Sequence, residues 1–145
     1  MKKTYKITAE FMDKITAFEG LKLRAYRDAG GVITIGYGHT GYIKLDTVIT
    51  KQQAKIILYR DLSEYAKYIN ALAICKTQGQ FEALVSFTYN VGFNAFRKST
   101  LFKKICLKAD MSEIQAEFKK WVYCKGVKLE GLVRRRNWEA ERFSN

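Results

Sequence analysis

The sequence predicts an α+β fold in which one helix and a small antiparallel sheet precede a series of helices. Three observations support this prediction. Apolar residues recur at helical spacing before Gly20, the β-branched run "VITI" at residues 32–35 follows a glycine pair, and the helical spacing returns after Thr50. The 145 residues contain no proline, internal repeat or low-complexity tract, so we expect one continuous domain.

The first helix is predicted over the residues that precede Gly20. Thr8 can cap its amino end, because a threonine hydroxyl accepts a hydrogen bond from a free backbone N–H of the first turn. Phe11, Ile15 and Phe18 follow at spacings of four and three, which places them on one inner face. Gly20 stands where a glycine commonly ends a helix, which makes Glu19 the last helical residue.

Residues 21–42 change from helical to extended periodicity. The run at residues 32–35 favours a strand, and the "AGG" at residues 29–31 offers the positive φ angles that a tight turn needs. We therefore expect a small hairpin or a three-stranded sheet in this stretch.

The helical period returns at a capping box formed by Thr50 and Gln53, which opens a long helix. A second capping box, Thr77 and Gln80, opens another helix that ends at Gly92. The inner face of the first is predicted to comprise Ala54, Ile57, Leu58, Leu62, Tyr65 and Ile69, and that of the second Phe81, Leu84, Val85 and Thr88. Shorter helices are expected at about residues 100–108, 111–122 and 133–143.

The net charge of +12, from 26 Lys and Arg against 14 Asp and Glu, indicates a polyanionic partner: nucleic acid, an anionic membrane or an anionic cell-wall polymer. The lysines at the amino terminus are not followed by the apolar run of a signal peptide, because Glu10 and Asp13 interrupt it. No stretch of about 18 apolar residues is present. We expect synthesis in the cytosol, with a separate route for any action outside the cell.

Cysteine and histidine usage argues against a metal site or a disulfide framework. Cys75, Cys106 and Cys124 are an odd, widely spaced set without a C-x-x-C pair, so buried free thiols are expected. The single histidine, His39, makes a histidine-based zinc site improbable. A metal site or a disulfide stays the alternative for the three cysteines.

The stretch "GYGHTG" at residues 36–41 matches the letters of a dinucleotide-binding fingerprint. That fingerprint must open a helix within a βαβ unit, whereas the residues that follow Gly41 have no helical period. Asp61 lies twenty residues later but falls within the predicted long helix. The glycines instead suit close backbone packing at a strand end, or an open floor that a polymer can approach.

Two carboxylates stand in contrasting environments on either side of this first turn. The helix dipole and the apolar neighbours Phe18 and Leu21 favour the protonated form of Glu19, whereas Asp28 lies in a polar glycine turn and should stay ionised. Such a pair suits an acid and a base acting on one glycosidic bond. Thr34, six residues later, can hold a water with its hydroxyl. The alternative is a surface glutamate paired with an arginine and an aspartate that only forms a turn.

The stretch "EGLKLRAYRDAGGVITIGYGHT" resembles the catalytic stretch of the phage-type lysozymes, glycoside hydrolase family 24. The segments "QFEALVSFTYNVG", "STLFKKI", "FKKWVYCKG" and "GLVRRRNWEAERF" resemble, in order, the helical-lobe segments of endolysins in that family. The resemblance covers nearly the whole chain. It implies a lysozyme-like fold, with a sheet lobe at about 12–50, a helical lobe at about 51–145 packed with the first helix, and a cleft between them.

The resemblance also implies an activity. Members of the family are muramidases, which cleave the β-1,4 bond between N-acetylmuramic acid and N-acetylglucosamine in bacterial peptidoglycan. By this likeness Glu19 is the general acid, Asp28 activates or positions a water on the opposite face of the sugar, and Thr34 completes the cage of that water. This is the inverting geometry, with the carboxyl groups about 6.5–9.5 Å apart. The resemblance also implies that no metal or cofactor is needed.

Other residues are assigned from the resemblance with less force. His39 is expected to be a structural partner of an acidic residue. One of Arg134, Arg135 and Arg136 is expected near Glu19, whereas a solvated basic helix explains the other two equally well. Substrate contacts are predicted for Tyr37, Thr40, Phe87, Asn90 and Thr100.

The expected partner is bacterial peptidoglycan, to which the positive charge draws a monomeric enzyme in a salt-dependent way. Without a membrane anchor, an endolysin depends on a hole made by a partner, a holin, to reach the wall. Two alternatives stay open: a non-catalytic wall-binding or scaffold protein with the same fold, and a nucleic-acid or membrane-surface protein that uses the basic carboxyl-terminal helix. The host and the wall chemistry are not specified by the sequence.

Overall fold

A computed structural model describes residues 3–145, which form seven helices and five short strands. In chain order they are α1 (Ala9–Glu19), β1 (Lys22–Arg27), β2 (Ile33–Gly36), β3 (His39–Thr40), α2 (Lys51–Leu72), α3 (Gln78–Val91), α4 (Phe93–Arg97), α5 (Thr100–Cys106), α6 (Met111–Phe118), β4 (Tyr123–Cys124), β5 (Val127–Lys128) and α7 (Glu130–Phe143). The predicted α+β class is confirmed.

The described chain divides into two compact units. Ile7–Glu64 contains the three-stranded sheet and is called the sheet unit below. The residues up to Lys6, together with Tyr65–Asn145, form the helical unit. The division falls inside α2 rather than near residue 50, and α1 groups with the sheet rather than with the later helices.

The first helix has the predicted ends. The Thr8 hydroxyl accepts a hydrogen bond from the Phe11 backbone N–H at 3.1 Å. Phe11 and Ile15 are buried, whereas Phe18 is half-buried. Gly20 adopts a φ of 68°, which a glycine tolerates without strain, and its N–H donates to the Thr16 carbonyl at 3.2 Å.

The predicted three-stranded sheet is confirmed, with antiparallel order β1-β2-β3. Thr34 on β2 faces Tyr26 on one side and Thr40 on the other. The outer edge of β1 is also bonded, because the Ala25 N–H donates to the Thr47 carbonyl at 2.9 Å and the Ile49 N–H donates to Leu23 at 2.8 Å. The sheet is therefore flanked by an extended loop on its first strand.

The long helix α2 begins with the predicted capping box. The Gln53 N–H donates to the Thr50 hydroxyl at 3.1 Å, and the Thr50 N–H donates to Gln53 Oε1 at 2.8 Å. The predicted face is buried at Ala54, Leu58, Leu62 and Ile69, and half-buried at Ile57 and Tyr65. Gly36 explains why the start of α2 belongs with the sheet: a Cβ at this glycine would lie 3.5 Å from Ala54 Cβ, so β2 approaches α2 closely.

The helix α3 is buried on all sides rather than on one face. Every residue from Phe81 to Thr88 is buried, which exceeds the predicted face. One side carries Phe87, whose ring packs edge-on against Phe96, Phe118 and Trp121. Other positions contact α7, because Ser86 bonds Glu139 and Glu82 bonds Arg142. The Thr77 cap is confirmed, although Gln80 Oε1 accepts from the Lys76 N–H at 2.9 Å rather than from Thr77.

The carboxyl-terminal helices lie close to their predicted positions, and three short elements were not predicted. The missed elements are α4 and the hairpin of β4 and β5, whose turn residues Lys125 and Gly126 have φ angles of 50° and 80°. Helix α6 ends at Phe118, before the predicted residue 122, and α7 begins at Glu130.

The basic helix α7 is not a solvated one. Arg134 is exposed, but Arg135 and Arg136 are 3% and 0% exposed and surround the fully buried Glu139. Arg136 Nε lies 2.7 Å from Glu139 Oε1, and the Ser86 hydroxyl donates to Glu139 Oε2 at 2.6 Å. The expectation of a solvated helix is therefore wrong for two of the three arginines, because the Glu139 carboxylate draws them into the core.

The three cysteines are free, as expected, but only one is shielded from solvent. Burial raises the pKa of the half-buried Cys75 thiol to about 12. Cys106 and Cys124 are exposed, so the prediction that they are buried is wrong. Over residues 3–145, no helix is long and apolar enough to span a bilayer.

Candidate active site

Glu19 is placed by the carboxyl end of α1. The buried side chains of Phe11 and Ile15 fix the inner face of this helix, and Gly20 ends it one residue after the glutamate. Glu19 itself is half-buried. The structure thus holds this carboxyl at the point where the chain leaves the helix and enters β1, as the sequence predicts.

Asp28 organises the turn between β1 and β2. Its Oδ1 accepts hydrogen bonds from the N–H groups of Gly30 and Val32, both at 2.9 Å, and the Gly31 N–H donates to its backbone carbonyl. Among the described residues no hydrogen bond reaches Oδ2. The side chain is exposed, so one oxygen orders the turn while the other is available to a ligand or a water.

Thr34 lies in the middle of the sheet beside this turn. Residues that pair across antiparallel strands point to the same face, so Thr34, Tyr26 and Thr40 share one face. Asp28 lies two residues after Tyr26, and its N–H pairs with the Val32 carbonyl, which extends this face to the turn. This register predicts that Asp28 and Thr34 lie towards one face of the sheet.

The hydroxyl of Thr34 is oriented by the backbone. Thr34 Oγ1 donates to the Val32 carbonyl at 3.0 Å, and the residue is 5% exposed. With its proton engaged in this way, the oxygen offers its remaining lone pairs as acceptors. This arrangement suits an acceptor for a water O–H.

His39 is held by an acidic residue of α2. Its Nδ1 lies 2.7 Å from Asp61 Oδ2, and both side chains are half-buried. Burial raises the pKa of Asp61, opposed by the hydrogen bond and the charge of His39, while Glu64 adds to the rise. The pair ties β3 to α2, which is the kind of structural contact expected of this histidine.

The stretch at residues 36–41 does not form a dinucleotide cradle. It follows a strand of an antiparallel sheet and leads into β3 and a loop, whereas the fingerprint requires a helix at this point. The close approach of Gly36 to Ala54 accounts for one of its glycines by packing. Over residues 3–145 no group of three or more His, Cys, Asp or Glu side chains could hold a metal ion.

The predicted substrate contacts divide into two groups by exposure. Tyr37 and Phe87 are 5% and 0% exposed, and the Phe87 ring packs against Phe96, Phe118 and Trp121, so their contacts with substrate stay predictions that burial does not favour. Thr40, Asn90 and Thr100 are exposed, and their contacts with substrate stay predictions.

One exposed aromatic near the sheet was missed in the sequence. Tyr42 is fully exposed, and the Ile43 N–H donates to the Gly41 carbonyl at 3.0 Å, which closes a tight turn around it. The signal available in the sequence was a large aromatic residue directly after the last glycine of the motif. Tyr26, on the face shared with Thr34, is also part-exposed at 38%.

Comparison with known proteins gives consistent matches over most of the chain. A family model described as phage lysozyme matches residues 16–139. The endolysin of Acyrthosiphon pisum secondary endosymbiont phage 1 is 38% identical over 136 residues, which cover 90% of this chain and 92% of that protein. The endolysin of Bacillus phage PZA is 41% identical over 135 residues, but the chain spans only 52% of its length.

A solved structure matches the fold at full length. The endolysin from Escherichia coli O157:H7 phage FAHEc1 superposes with a TM-score of 0.83 and 32% sequence identity, covering 99% of this chain and 96% of that one. Sequence and fold therefore point to the same set of proteins.

Proposed function

The chain belongs to the phage lysozyme family, and we propose that Glu19, Asp28 and Thr34 carry out its reaction. It is a muramidase, a glycoside hydrolase that lyses bacterial peptidoglycan. The non-catalytic alternative is not favoured, because endolysin relatives align over most of the chain. The observation that supports the residue roles is the strand register, which predicts that Asp28 and Thr34 lie towards one face of the sheet.

In the proposed reaction Glu19 acts as the general acid. It donates its proton to the glycosidic oxygen as the bond to the anomeric carbon breaks, so the leaving sugar departs as an alcohol.

Asp28 and Thr34 act on the water. Asp28 Oδ2 accepts one proton of a water whose oxygen attacks the anomeric carbon, and Thr34 Oγ1 accepts a hydrogen bond from the other O–H. The turn hydrogen bonds at Oδ1 hold the carboxylate in one orientation, which reduces the cost of positioning the water. A single displacement of this kind inverts the anomeric configuration.

The experiment that tests these roles compares Glu19→Gln with the wild type on purified peptidoglycan. Removal of a general acid is expected to lower the rate of new reducing ends by about 10²–10⁴-fold. The amide keeps the size of the side chain, so the melting temperature and the binding of the protein to pelleted wall should be unchanged. Glu10→Gln, an exposed glutamate in the first turn of the same helix, is the matched control and should retain full activity.

The outcomes separate the alternatives. Equal release of reducing ends by wild type and Glu19→Gln would remove this residue from the mechanism. Inactivity of the wild type with wall pelleting retained would revive the wall-binding protein. The configuration of the product, read by proton NMR at the first turnover, distinguishes an inverting from a retaining reaction.

The route to the wall is a separate part of the proposal. We expect the enzyme to reach peptidoglycan through a membrane lesion made by a partner such as a holin. The test is induction of the chain in bacteria with and without chloroform: turbidity should fall only when the membrane is opened. Lysis without chloroform would mean that the protein reaches the wall unaided.

A further inference from the structure

A groove of about 540 Å³ lies between α1 and the first half of α2, within the sheet unit. Its first wall is a continuous face of α1, because residues spaced by three and four lie one above another on a helix. That wall consists of Ala9, Met12, Asp13 and Thr16. Glu19, Asp28 and Thr34 are not part of its lining.

The second wall comes from the side of α2 that does not enter the core. Ala54, Leu58 and Leu62 are buried, whereas Ile56 and Tyr59, which line the groove, are 53% and 52% exposed. These two large apolar side chains lie on adjacent turns, and covering their exposed surface would be favourable by about 25 cal/mol for each Å² of apolar area removed from water. The volume and the mainly apolar lining suit a small amphiphile rather than a sugar polymer.

Two cations accompany this apolar surface. Lys55 and Arg60 line the groove, and neither side chain forms an ion pair or a hydrogen bond with any described residue. Asp13 is the acidic residue of the lining, and its carboxylate is not paired with either of them. The groove thus offers an apolar floor with a net positive charge and donors for an anion.

We propose that this groove binds a single-chain anionic amphiphile, with the alkyl chain along Met12, Ile56 and Tyr59 and a phosphate head at Lys55 and Arg60. The two cations of the groove favour an anionic head group, and its apolar lining favours an alkyl chain. The binding requires no hydrolysis, so it stands or falls independently of the roles given to Glu19, Asp28 and Thr34.

The experiment is a titration of the ¹⁵N-labelled protein with dodecyl phosphate below its micelle concentration, followed by amide NMR. Saturable shifts confined to residues 9–16 and 55–60 are expected. Dodecyl maltoside has the alkyl chain without the negative charge, and inorganic phosphate has the negative charge without the alkyl chain. Both should bind at least about tenfold more weakly, the change expected from losing one charged hydrogen bond or its apolar counterpart.

Variants sharpen the assignment. Lys55→Gln combined with Arg60→Gln should weaken dodecyl phosphate binding about tenfold. Lys98→Gln combined with Lys103→Gln removes the same charge from exposed positions of the helical unit and should leave binding unchanged. Ala9→Phe fills the groove without changing its charge and should abolish binding while peptidoglycan hydrolysis continues.

Three results would overturn the proposal. Equal binding of dodecyl maltoside would show that the cations do not select the ligand. Shifts spread over the whole basic surface, and weakened equally by both charge-neutralised pairs, would show nonspecific attraction. Shifts caused by vesicles of phosphatidylglycerol, but not by monomeric dodecyl phosphate, would show a membrane-surface contact in place of a bound chain.

Discussion

The two units of the molecule differ in whether charged side chains are buried. In the sheet unit, Glu19 is half-buried, Asp28 is exposed, and the His39–Asp61 pair is half-buried. In the helical unit, charged side chains lie in the core: Glu82, Glu117, Arg135, Arg136 and Glu139 are all less than 9% exposed. Among the described residues, the sheet unit thus buries none of its charged side chains, whereas the helical unit buries these five and exposes others, such as Lys98 and Lys103.

This difference predicts which substitutions should affect activity and which should affect stability. An exposed carboxylate contributes little to the free energy of unfolding, so its removal changes chemistry at small structural cost. A buried ion pair costs several kcal/mol when one partner is removed, because the other charge stays in the core without compensation. Variants of the two units should therefore separate in a plot of activity against melting temperature.

The largest expected effect lies in the sheet unit, at Asp28. In Asp28→Asn the amide oxygen can still accept from Gly30 and Val32, so the turn should persist while the base is lost. We expect hydrolysis to fall by about 10²–10⁴-fold with an unchanged melting temperature. Asp28→Ala should lose the same activity and also about 1 kcal/mol of stability, since the turn loses its acceptor.

The pair of variants is measured by reducing-end release and by thermal unfolding. If Asp28→Asn retains activity, the residue is a turn former only, as the alternative interpretation of the sequence holds. If Asp28→Asn unfolds as readily as Asp28→Ala, the negative charge itself stabilises the sheet. An exposed charge of the sheet unit would then contribute to stability, contrary to the expectation above.

The next effect belongs to the helical unit, at Glu139. Glu139→Gln leaves Arg135 and Arg136 in the core without their carboxylate, and should lower the free energy of unfolding by about 3–5 kcal/mol. Glu141→Gln, two residues later and exposed, is the matched control and should change it by no more than about 0.5 kcal/mol. Urea unfolding at constant slope provides the measurement. Equal, small effects in both variants would show that the buried carboxylate of Glu139 contributes no more to stability than an exposed one.

The smallest effect is a dependence on pH at Glu117. Hydrogen bonds from Lys120 and Lys104 lower the pKa of this carboxyl in the folded protein. Its contribution to stability is therefore present above the unfolded pKa of about 4.3 and is lost as the pH falls through the lower, folded value. Glu117→Gln should lower the melting temperature by about 3 °C at pH 7 and show a smaller further fall on acidification.

Thermal unfolding at pH 7 and at pH 3 checks this prediction. Glu113→Gln, an exposed residue one turn earlier in α6, should follow the wild type at both values. If the melting temperature falls as much between pH 7 and pH 3 in Glu117→Gln as in the wild type, other carboxyl groups cause the pH dependence.

Local signals predicted the elements that position the proposed site. The caps at Thr8 and Thr50 and the glycine end at Gly20 depend on neighbours within a few residues, so the sequence alone identifies them. The glycine turn and the β-branched run likewise identify β1 and β2. As a result, Glu19, Asp28 and Thr34 lie on the elements predicted for them.

Burial in the helical unit could not be predicted because it depends on contacts between distant segments. Glu139 accepts a hydrogen bond from Ser86, 53 residues away, Arg135 also bonds Ser86, and Arg136 lies over the Phe87 ring, so segments far apart in the chain remove both arginines from solvent. Phe87 has the spacing of one helix face, yet helices from other parts of the chain enclose it completely. Short elements such as α4 carry too few residues for a periodic signal.

Because α1 ends at Gly20 and the turn at Asp28 follows soon after, the three residues proposed for the reaction lie close together in the sequence. The acid, the base and the hydroxyl assigned to the reaction come from 16 consecutive residues, 19–34, all within the sheet unit. A recombination event that replaced every residue after Glu64 by a relative's sequence would carry this segment through unbroken. The groups proposed to carry out the reaction are thus inherited together as one short segment.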